Sequence, residues 1–298
     1  MTPRLRRFWR LIKLAAASAY DHNFFESAKG VAYSALFSFF PVLTTVAALL
    51  VVLRAQVTER MISSFLYQVA PPGTEDVMRN LFVVHGQRPN YLLVIAIALS
   101  AWAASSAIAS LMGGFHLAYH ISSDRSFLRE RAIAIGLVFA SFVPVCLACA
   151  LVIFGAWLER RLLLWLPWIG RDTDLNQWAL AAGQILGYAI AFCAFVFVTA
   201  LLYYVGPNRK QSFEGVLPGA ILATSLWMAA TAVVGWYFRH VTNYNVLYGS
   251  VGAGLALLLW MYVLGLIALF GCEFNAGRDR IDAAARESEQ LEPAHSRD

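Results

Sequence analysis

The sequence is poor in charged residues. Asp, Glu, Lys and Arg make up 14% of the 298 residues, whereas hydrophobic residues make up 59% and the mean hydropathy is +0.61. A soluble domain usually has roughly 25% charged and about 45–50% apolar residues. The composition therefore excludes an ordinary soluble protein and predicts an integral membrane protein with one membrane domain and polar ends.

Charge is most completely absent from the long apolar runs. Six runs are each long enough to cross a hydrocarbon core of about 30 Å as a helix, and none has Asp, Glu, Lys or Arg in its interior. Because ion-coupled carriers usually keep an ionisable residue within the membrane, this absence disfavours that class. We predict an all-α polytopic membrane helical bundle with amphipathic interfacial helices and a membrane domain at residues 31–277. The predicted spans are residues 31–53, 91–114, 132–158, 178–205, 216–238 and 249–272.

The sequence has little that suggests redox or metal chemistry. Its four cysteines fall within or at the end of predicted spans, where we interpret them as small apolar residues. His116 and His120 lie one helical turn apart, as in a helical metal pair, but no third ligand is close in sequence. We therefore expect no metal, no cofactor and no enzymatic activity.

The regions outside the spans are polar. In residues 1–30, basic and apolar residues occupy different helical faces, which predicts either an amphipathic cytoplasmic helix on anionic lipid head groups or a solvated basic arm. This segment explains the net charge of +5 without a nucleic-acid partner. Residues 54–90 are predicted to form an outer helical segment, and residues 278–298 a disordered cytoplasmic tail.

Lys and Arg are distributed unequally between the two sides of the predicted bundle. Of the 23 Lys and Arg residues, 15 lie before the first span, after the sixth, or in connections on the same side as these ends. Because Lys and Arg accumulate on the cytoplasmic side of a membrane, both chain ends are predicted to be cytoplasmic.

Prolines fall near the middle of two predicted spans. Pro41 and Pro144 are each expected to kink a helix, because proline has no N–H and its ring displaces the preceding turn. In the first span, the hydroxyls of Ser34 and Ser38 are expected to satisfy the carbonyl of Phe37, which Pro41 leaves without a partner.

Two polar groups at the ends of spans are candidate functional residues. Glu273, at the cytoplasmic end of the sixth span, is expected to pair with Arg209 or Lys210 from the connection between spans four and five. That pair either holds two helix ends together or serves a functional role. The outer segment 243–250 carries amide, tyrosine and serine side chains, which either line an outward-facing pocket for a head group or sugar, or form a tight turn.

Short motifs along the chain resemble one family. The blocks, in order, are Tyr33-Ser34-Ala35-Leu36-Phe37-Ser38-Phe39-Phe40-Pro41, Pro207-Asn208-Arg209, Leu217-Pro218-Gly219-Ala220, Leu247-Tyr248-Gly249-Ser250 and Glu273-Phe274-Asn275-Ala276. This pattern, from residue 20 to residue 277, resembles the YihY/BrkB family. The resemblance implies a multi-pass helical protein of the bacterial inner membrane; family members have been linked to virulence and serum resistance, and some carry an old ribonuclease BN label.

The family motifs and the outer polar segment together supply the candidate pocket residues. These are Tyr33, Ser34, Ser38, Pro41, Asn208, Arg209, Pro218, Gly219, Asn243, Tyr244, Tyr248, Gly249, Ser250, Glu273 and Asn275. An uncharged interior suits an amphiphile better than a small ion, so we predict a non-enzymatic transporter or flippase-like module for a lipid or envelope component. The alternative is a membrane scaffold with envelope protein partners or copies of itself. A ribonuclease is disfavoured, because the spans lack the carboxylates or acid-base pair that phosphodiester hydrolysis usually needs.

Overall fold

The computed structural model describes residues 3–21, 23–52, 90–121, 125–165, 173–240 and 249–295. The regular structure in these ranges is entirely helical, which confirms the predicted all-α bundle. The helices are α1 (Pro3–Asp21), α2 (Phe24–Val52), α3 (Asn90–Ala118), α4 (Phe127–Trp165), α5 (Thr173–Val205), α6 (Phe213–His240) and α7 (Gly249–His295).

Helices α2 to α7 each contain a segment long and apolar enough to cross a membrane. The candidate spans are Phe24–Val46, Val94–Ala118, Phe127–Ala150, Ile185–Val205, Phe213–Tyr237 and Gly254–Ser288. The number of spans is as predicted, but several helices begin earlier or end later than the apolar runs. The predicted outer segment 54–90 lies outside the described residues, except that Asn90 begins α3.

The six spans form a closed ring. Each helix from α2 to α7 packs against the next one in the chain, and α7 packs back against α2. Helix α7 also contacts α3 and α1. The connections from α3 to α4 and from α5 to α6 are short, so these helix pairs are antiparallel neighbours.

The two ends of the chain lie at the same end of the ring, which we call the lower end. Leu11 and Ala15 of α1 are buried against Phe274 of α7, and Arg7 pairs with Asp282. Residues 3–21 are therefore a docked helix and not a solvated arm. The predicted contact of this helix with lipid head groups, and the assignment of the lower end to the cytoplasm, stay predictions.

A continuous core closes the lower end. It joins the first turns of α2 and α6 to the last turns of α3 and α5 and to the middle of α7. The rings of Phe115 and Tyr203 meet edge to face with centroids 5.3 Å apart. Because lipid tails are as apolar as these side chains, close packing and hydrogen bonds hold the core together, rather than exclusion of water. The buried residues are Phe24, Ala28, Phe115, Ala118, Val196, Ala200, Tyr203, Val216, Ala220, Ala223, Leu269 and Cys272.

Helix α7 continues well beyond the predicted sixth span. It ends at His295, so the predicted disorder of residues 278–298 is wrong for the residues that the structure describes. The physical reason is that the first charged residues after the span have partners. Asp279 pairs with Arg209, Arg278 donates to the Gly215 carbonyl at 3.0 Å, and the alanines that follow favour a helix.

Candidate functional site

The side chain of Asn275 joins α7 to the first turns of α6. Its Oδ1 accepts a hydrogen bond from the Gly219 N–H at 2.8 Å, and its Nδ2 donates to the Val216 carbonyl at 2.9 Å. The residue is only 1% exposed. These bonds flank Pro218, which has no N–H and disturbs the helical pattern around it. Two of the predicted site residues therefore meet at a proline-containing helix start.

Close backbone contact between α6 and α7 depends on two glycines. A Cβ added at Gly219 would lie 2.2 Å from the Gly271 carbonyl oxygen and 2.4 Å from Asn275 Nδ2. A Cβ added at Gly271 would lie 2.5 Å from the Tyr203 hydroxyl and 2.7 Å from the Ala223 Cβ. Only a hydrogen side chain fits at either position, which is the usual reason for glycine at a membrane helix crossing.

Tyr203 and its neighbours connect the end of α5 to the same junction. The Tyr203 hydroxyl donates to the Ala268 carbonyl of α7 at 2.6 Å. Gln211 Nε2 donates back to the Tyr203 carbonyl at 2.6 Å, so it satisfies one of the carbonyls that a helix end leaves free. Sequence analysis missed both residues, because a tyrosine at the end of an apolar run gives no sign of its partner.

The connection between α5 and α6 is held from the other side by Arg125. Its guanidinium donates to Asn208 Oδ1 at 3.1 Å and to the Gly206 carbonyl at 3.3 Å. Partial burial lowers the pKa of Arg125, and the nearby Arg129 lowers it further. Because arginine starts from a very high pKa, the group still carries its charge and caps the negative end of α5.

Ion pairs surround this junction in an arrangement that differs from the prediction. Glu273 is fully buried and accepts a hydrogen bond from Arg280, whereas Arg209 pairs with Asp279 at 2.9 Å. The predicted pairing of Glu273 with Arg209 or Lys210 is therefore wrong. Because α7 stays helical, Arg280 returns to the face of Glu273 two turns later, and Asp279 is the carboxylate that reaches the connection.

Arg209 also stacks on an aromatic ring. Its guanidinium carbon lies 4.4 Å from the ring centroid of Tyr119, just beyond the end of α3. Burial raises the pKa of the Tyr119 phenol, so this hydroxyl stays protonated at physiological pH. The cation, the ring and Asp279 together bind the α5–α6 connection to α3 and α7.

A cavity of about 360 Å³ opens beside these residues, between the α5–α6 connection and the lower part of α7. Three arginines and two aspartates line it, so it is polar and of mixed charge. In the ranges that the structure describes, no three His, Cys, Asp or Glu side chains come together as a metal site. The lining residues are Arg209, Gln211, Ser212, Gly215, Arg278, Asp279, Asp282, Ala283 and Arg286.

The motif residues of α2 form a second, separate set of contacts with α3. Ser34 Oγ lies 3.0 Å from Ser110 Oγ, and Ser100 Oγ donates to the Pro41 carbonyl at 2.7 Å. Ser38 donates to the Ala35 carbonyl at 2.8 Å. The predicted bonds from Ser34 and Ser38 to the Phe37 carbonyl are therefore wrong, because partners on α3 and a nearer carbonyl take these hydroxyls.

Tyr33, the first residue of the α2 motif, has a different environment from the serines. Its side chain is exposed and its ring lies 5.1 Å from that of Phe37, centroid to centroid. The structure does not bring Tyr33 to the α6–α7 junction.

The outer candidate residues are not placed by the structure. Asn243, Tyr244 and Tyr248 lie outside the described residues, and Gly249 and Ser250 are described only as the first residues of α7. The outward-facing pocket therefore stays a prediction.

The histidine pair has a backbone role at the end of α3. His120 has a φ of 52°, its N–H donates to the Leu117 carbonyl, and the Ile121 N–H donates to the His116 carbonyl. This hydrogen-bond pattern is the Schellman motif, which terminates a helix through one residue in the left-handed region.

The sequence analysis did not identify Arg131 as a candidate, because it lies just outside a predicted span. Arg131 immediately precedes the predicted third span, but α4 begins at Phe127 and includes it. Its guanidinium lies over the ring of Trp102, 4.3 Å from the centroid, and Nη2 donates to Ser106 Oγ at 3.0 Å. The spacing of Trp102 and Ser106, one turn apart on α3, was the only sequence signal for this contact.

A ring of six apolar helices, with both ends of the chain at one end of the ring, defines this chain as a multi-pass helical membrane protein. The family model for virulence factor BrkB matches residues 15–296. The chain therefore belongs to the BrkB family.

Curated relatives of the chain include proteins named as membrane proteins and one named as ribonuclease-like. It is 28% identical over 250 residues to the putative ribonuclease-like protein YfkH of Bacillus subtilis, covering 83% of this chain and 86% of that protein. It is 23% identical over 264 residues to a UPF0761 membrane protein of Pseudoalteromonas translucida, covering 86% and 81%. A UPF0761 membrane protein of Tolumonas auensis is 26% identical over 258 residues, covering 83% and 78%. No solved structure matches the chain.

Proposed function

We propose that this chain is a non-enzymatic protein of the bacterial inner membrane that moves or organises a lipid or another amphiphilic envelope component, with both ends in the cytoplasm. The observation that supports it is the position of charge within the candidate spans. In α2, α4 and α6 the charged residues of these segments lie within the first two turns, at the lower end of the helix; in α7 they begin at Glu273, next to Asn275, which bonds to the first turns of α6. Ion-coupled carriers usually keep an ionisable group inside the bundle, on the transport path, whereas the one guanidinium that reaches a span midpoint within the described residues, that of Arg131, lies over the exposed ring of Trp102.

Farther along α2 and α3, neutral polar side chains bond to one another. Thr45 Oγ1 lies 2.6 Å from Ser100 Oγ, and Ser34 meets Ser110 in the same way between α2 and α3. Such pairs hold helices together and do not carry protons or metal ions. The substrate that best suits this lining is one whose tails stay in hydrocarbon while only a head group needs polar contact.

Reconstitution into liposomes tests this function. The vesicles carry a phospholipid with a fluorescent head group in both leaflets, and a membrane-impermeant reductant is added outside. We expect the protein to increase the bleached fraction beyond the outer-leaflet share of protein-free vesicles. Bleaching that stops at the outer-leaflet share, together with an unchanged envelope lipid composition in a deletion strain, would contradict the proposal.

A scaffold is the second candidate, and the surface of α1 favours it. Phe8, Trp9 and Leu14 are exposed on this helix, outside the six candidate spans. Exposed apolar groups on a docked helix suit either a membrane surface or a protein partner. Photo-crosslinking from position 9 in native membranes separates the two, since a scaffold gives discrete protein adducts and a lipid contact does not.

The name of the Bacillus subtilis relative raises ribonuclease activity as a third candidate. Within the described ranges, no cluster of three His, Cys, Asp or Glu residues is present to bind a catalytic metal. We therefore do not propose hydrolysis. Cleavage of RNA by the purified chain, retained through a further purification step in a denaturant and refolding, would reverse this conclusion.

A further inference from the structure

Arg131 reaches the middle of a neighbouring span. Its Nη2 donates to Ser106 Oγ at 3.0 Å, and Ser106 lies at the midpoint of the candidate span Val94–Ala118. At 1.5 Å per residue, this serine is about 18 Å along α3 from Ala118. The arginine starts near the lower end of α4, but its side chain extends along α3 toward the centre of the membrane.

The guanidinium lies on the lipid-facing side of α3. Ile95, Leu99 and Trp102 follow one another at three- and four-residue spacing on this side and are 50%, 60% and 52% exposed. Ser105 and Phe115, on other sides of the helix, are fully buried within the bundle. Arg131 and Trp102 therefore line a groove between α3 and α4 that faces lipid and not the interior of the ring.

The charge of Arg131 has no counter-charge among the described residues. The ion pairs that the structure describes involve other cations, and Nε of Arg131 is buried without a hydrogen-bond partner. A guanidinium has five N–H donors, and a ring face and one hydroxyl satisfy only part of them. A cation at this depth is costly unless an anion joins it.

The chemistry of the site selects the anion. The planar fork of arginine matches the oxygens of a phosphate group, which it binds through two parallel hydrogen bonds. At a lipid-facing groove, the phosphate source within reach is the phosphodiester of a membrane lipid. We propose that Arg131, Ser106 and Trp102 form a binding site for the phosphate of an anionic phospholipid. The phosphate is held between α3 and α4, deeper in the membrane than the lipid head groups.

This site specifies how the proposed function could work, and its role in lipid movement rests on that proposed function. A phosphate bound at the level of Ser106 lies between the two leaflets, where a lipid that changes leaflet must pass. The bound state supplies the head group with hydrogen bonds that hydrocarbon lacks, and it therefore lowers the cost of that passage.

Native mass spectrometry of the full chain in detergent tests the binding directly. Phosphatidylglycerol is titrated against the unmodified protein, Arg131→Gln, Arg131→Lys and Arg129→Gln; the last is the control, because Arg129 is exposed two residues away on the same helix. We expect Arg131→Gln to weaken binding about tenfold, as loss of one charge-assisted contact implies. The affinity of Arg131→Lys for phosphatidylglycerol should lie between those of Arg131→Gln and the unmodified protein, and Arg129→Gln should bind as tightly as the unmodified protein.

Two further arms identify the ligand. Phosphatidylethanolamine should bind more weakly than phosphatidylglycerol, because its positive ammonium group repels the Arg131 guanidinium. Inorganic phosphate should not displace the bound lipid. Equal binding of phosphatidylglycerol to the unmodified protein and to both Arg131 variants overturns the proposal, as does displacement by inorganic phosphate. If Arg131→Gln does not fold, Arg131→Lys and Trp102→Phe carry the same test.

The binding and transport experiments test the site and the function separately. Arg131-dependent lipid binding without lipid movement in liposomes contradicts the proposed function but keeps the site. Lipid movement that persists in a folded Arg131→Gln protein, with no Arg131-dependent binding, keeps the function and removes the site.

Discussion

Replacing Gly219 by alanine is the sharpest test of the α6–α7 junction. The new Cβ would lie 2.2 Å from the Gly271 carbonyl oxygen, about 1.2 Å closer than the 3.4 Å at which ordinary contact begins. The same methyl would lie 2.4 Å from Asn275 Nδ2. Neither obstacle is the flexible end of a side chain, because one is backbone and the other is a buried amide with two bonds. The helices must therefore separate.

The cost has three parts. Overpacking of this kind costs about 1–3 kcal/mol, and loss of the bond between Asn275 and the Gly219 N–H leaves two buried groups unpaired at about 1–3 kcal/mol. Alanine returns about 1 kcal/mol through its higher helix propensity. We expect Gly219→Ala to lower the free energy of unfolding by about 3 kcal/mol.

Gly136→Ala is the matched control. Gly136 lies in α4, and a Cβ there meets nothing within 4 Å. The same substitution should therefore be neutral or stabilise by up to about 1 kcal/mol. Unfolding free energies measured by steric trapping in bicelles compare the two variants in a lipid environment. Equal stability of the two variants would refute the reasoning, because it would mean that the close approach of α6 and α7 is not required.

Three other predictions concern the same junction. Asn275→Leu should lower the free energy of unfolding by about 2–4 kcal/mol in the same assay, because it leaves a buried N–H and a buried carbonyl of α6 unpaired. A loss of stability smaller than that of Tyr203→Phe would contradict this. Tyr203→Phe should cost only about 1 kcal/mol, since the ring packing stays and one hydroxyl bond is lost. Arg209→Asp and Asp279→Arg should each lower the midpoint of thermal unfolding, and the double swap should restore part of the loss. Because both side chains are about a third exposed, the coupling energy should be about 1 kcal/mol or less; additive effects would argue against the pair.

The sequence was sufficient to predict the class of fold. Six uncharged runs of adequate length leave few alternatives to six spans, since every backbone group in hydrocarbon must bond within its own helix. The placement of Lys and Arg was also sufficient to put both ends of the chain on one side. Docking of α1 on α7 through Leu11 and Phe274 agrees with that placement.

The partners within the site were beyond the reach of the sequence. Glu273, Asp279 and Asp282 are all carboxylates near the end of the sixth span, and which of them meets Arg209 depends on how far α7 stays helical. A charged stretch with few large apolar residues is typical of a disordered tail, so the sequence analysis placed the end of α7 too early. Ile281 of this stretch packs against the cluster of Leu11, Ala15 and Phe274. The partners that keep it helical are distant in sequence.

Arg131 was missed for a related reason. A span predicted from composition stops at the first charge, so a cation beside the span is assigned to the water. The length of an arginine side chain allows the guanidinium to extend well beyond its own Cα. Here Trp102 and Ser106 of α3 draw it toward the membrane centre, and the sequence spacing alone does not show that direction.

The closed lower end and the Arg131 groove together indicate where a lipid would travel. A route through the middle of the ring requires Phe115 and Tyr203 to separate, together with the small residues packed around them. A route along the outside of α3 and α4 requires none of this, because Trp102 is already exposed and only the head group leaves its own leaflet. We therefore infer that, if the chain moves lipid, the tails stay in the bilayer while the phosphate passes Arg131. On this proposal, the close packing of α6 and α7 at Gly219 and Gly271 holds the ring closed while the lipid passes outside it.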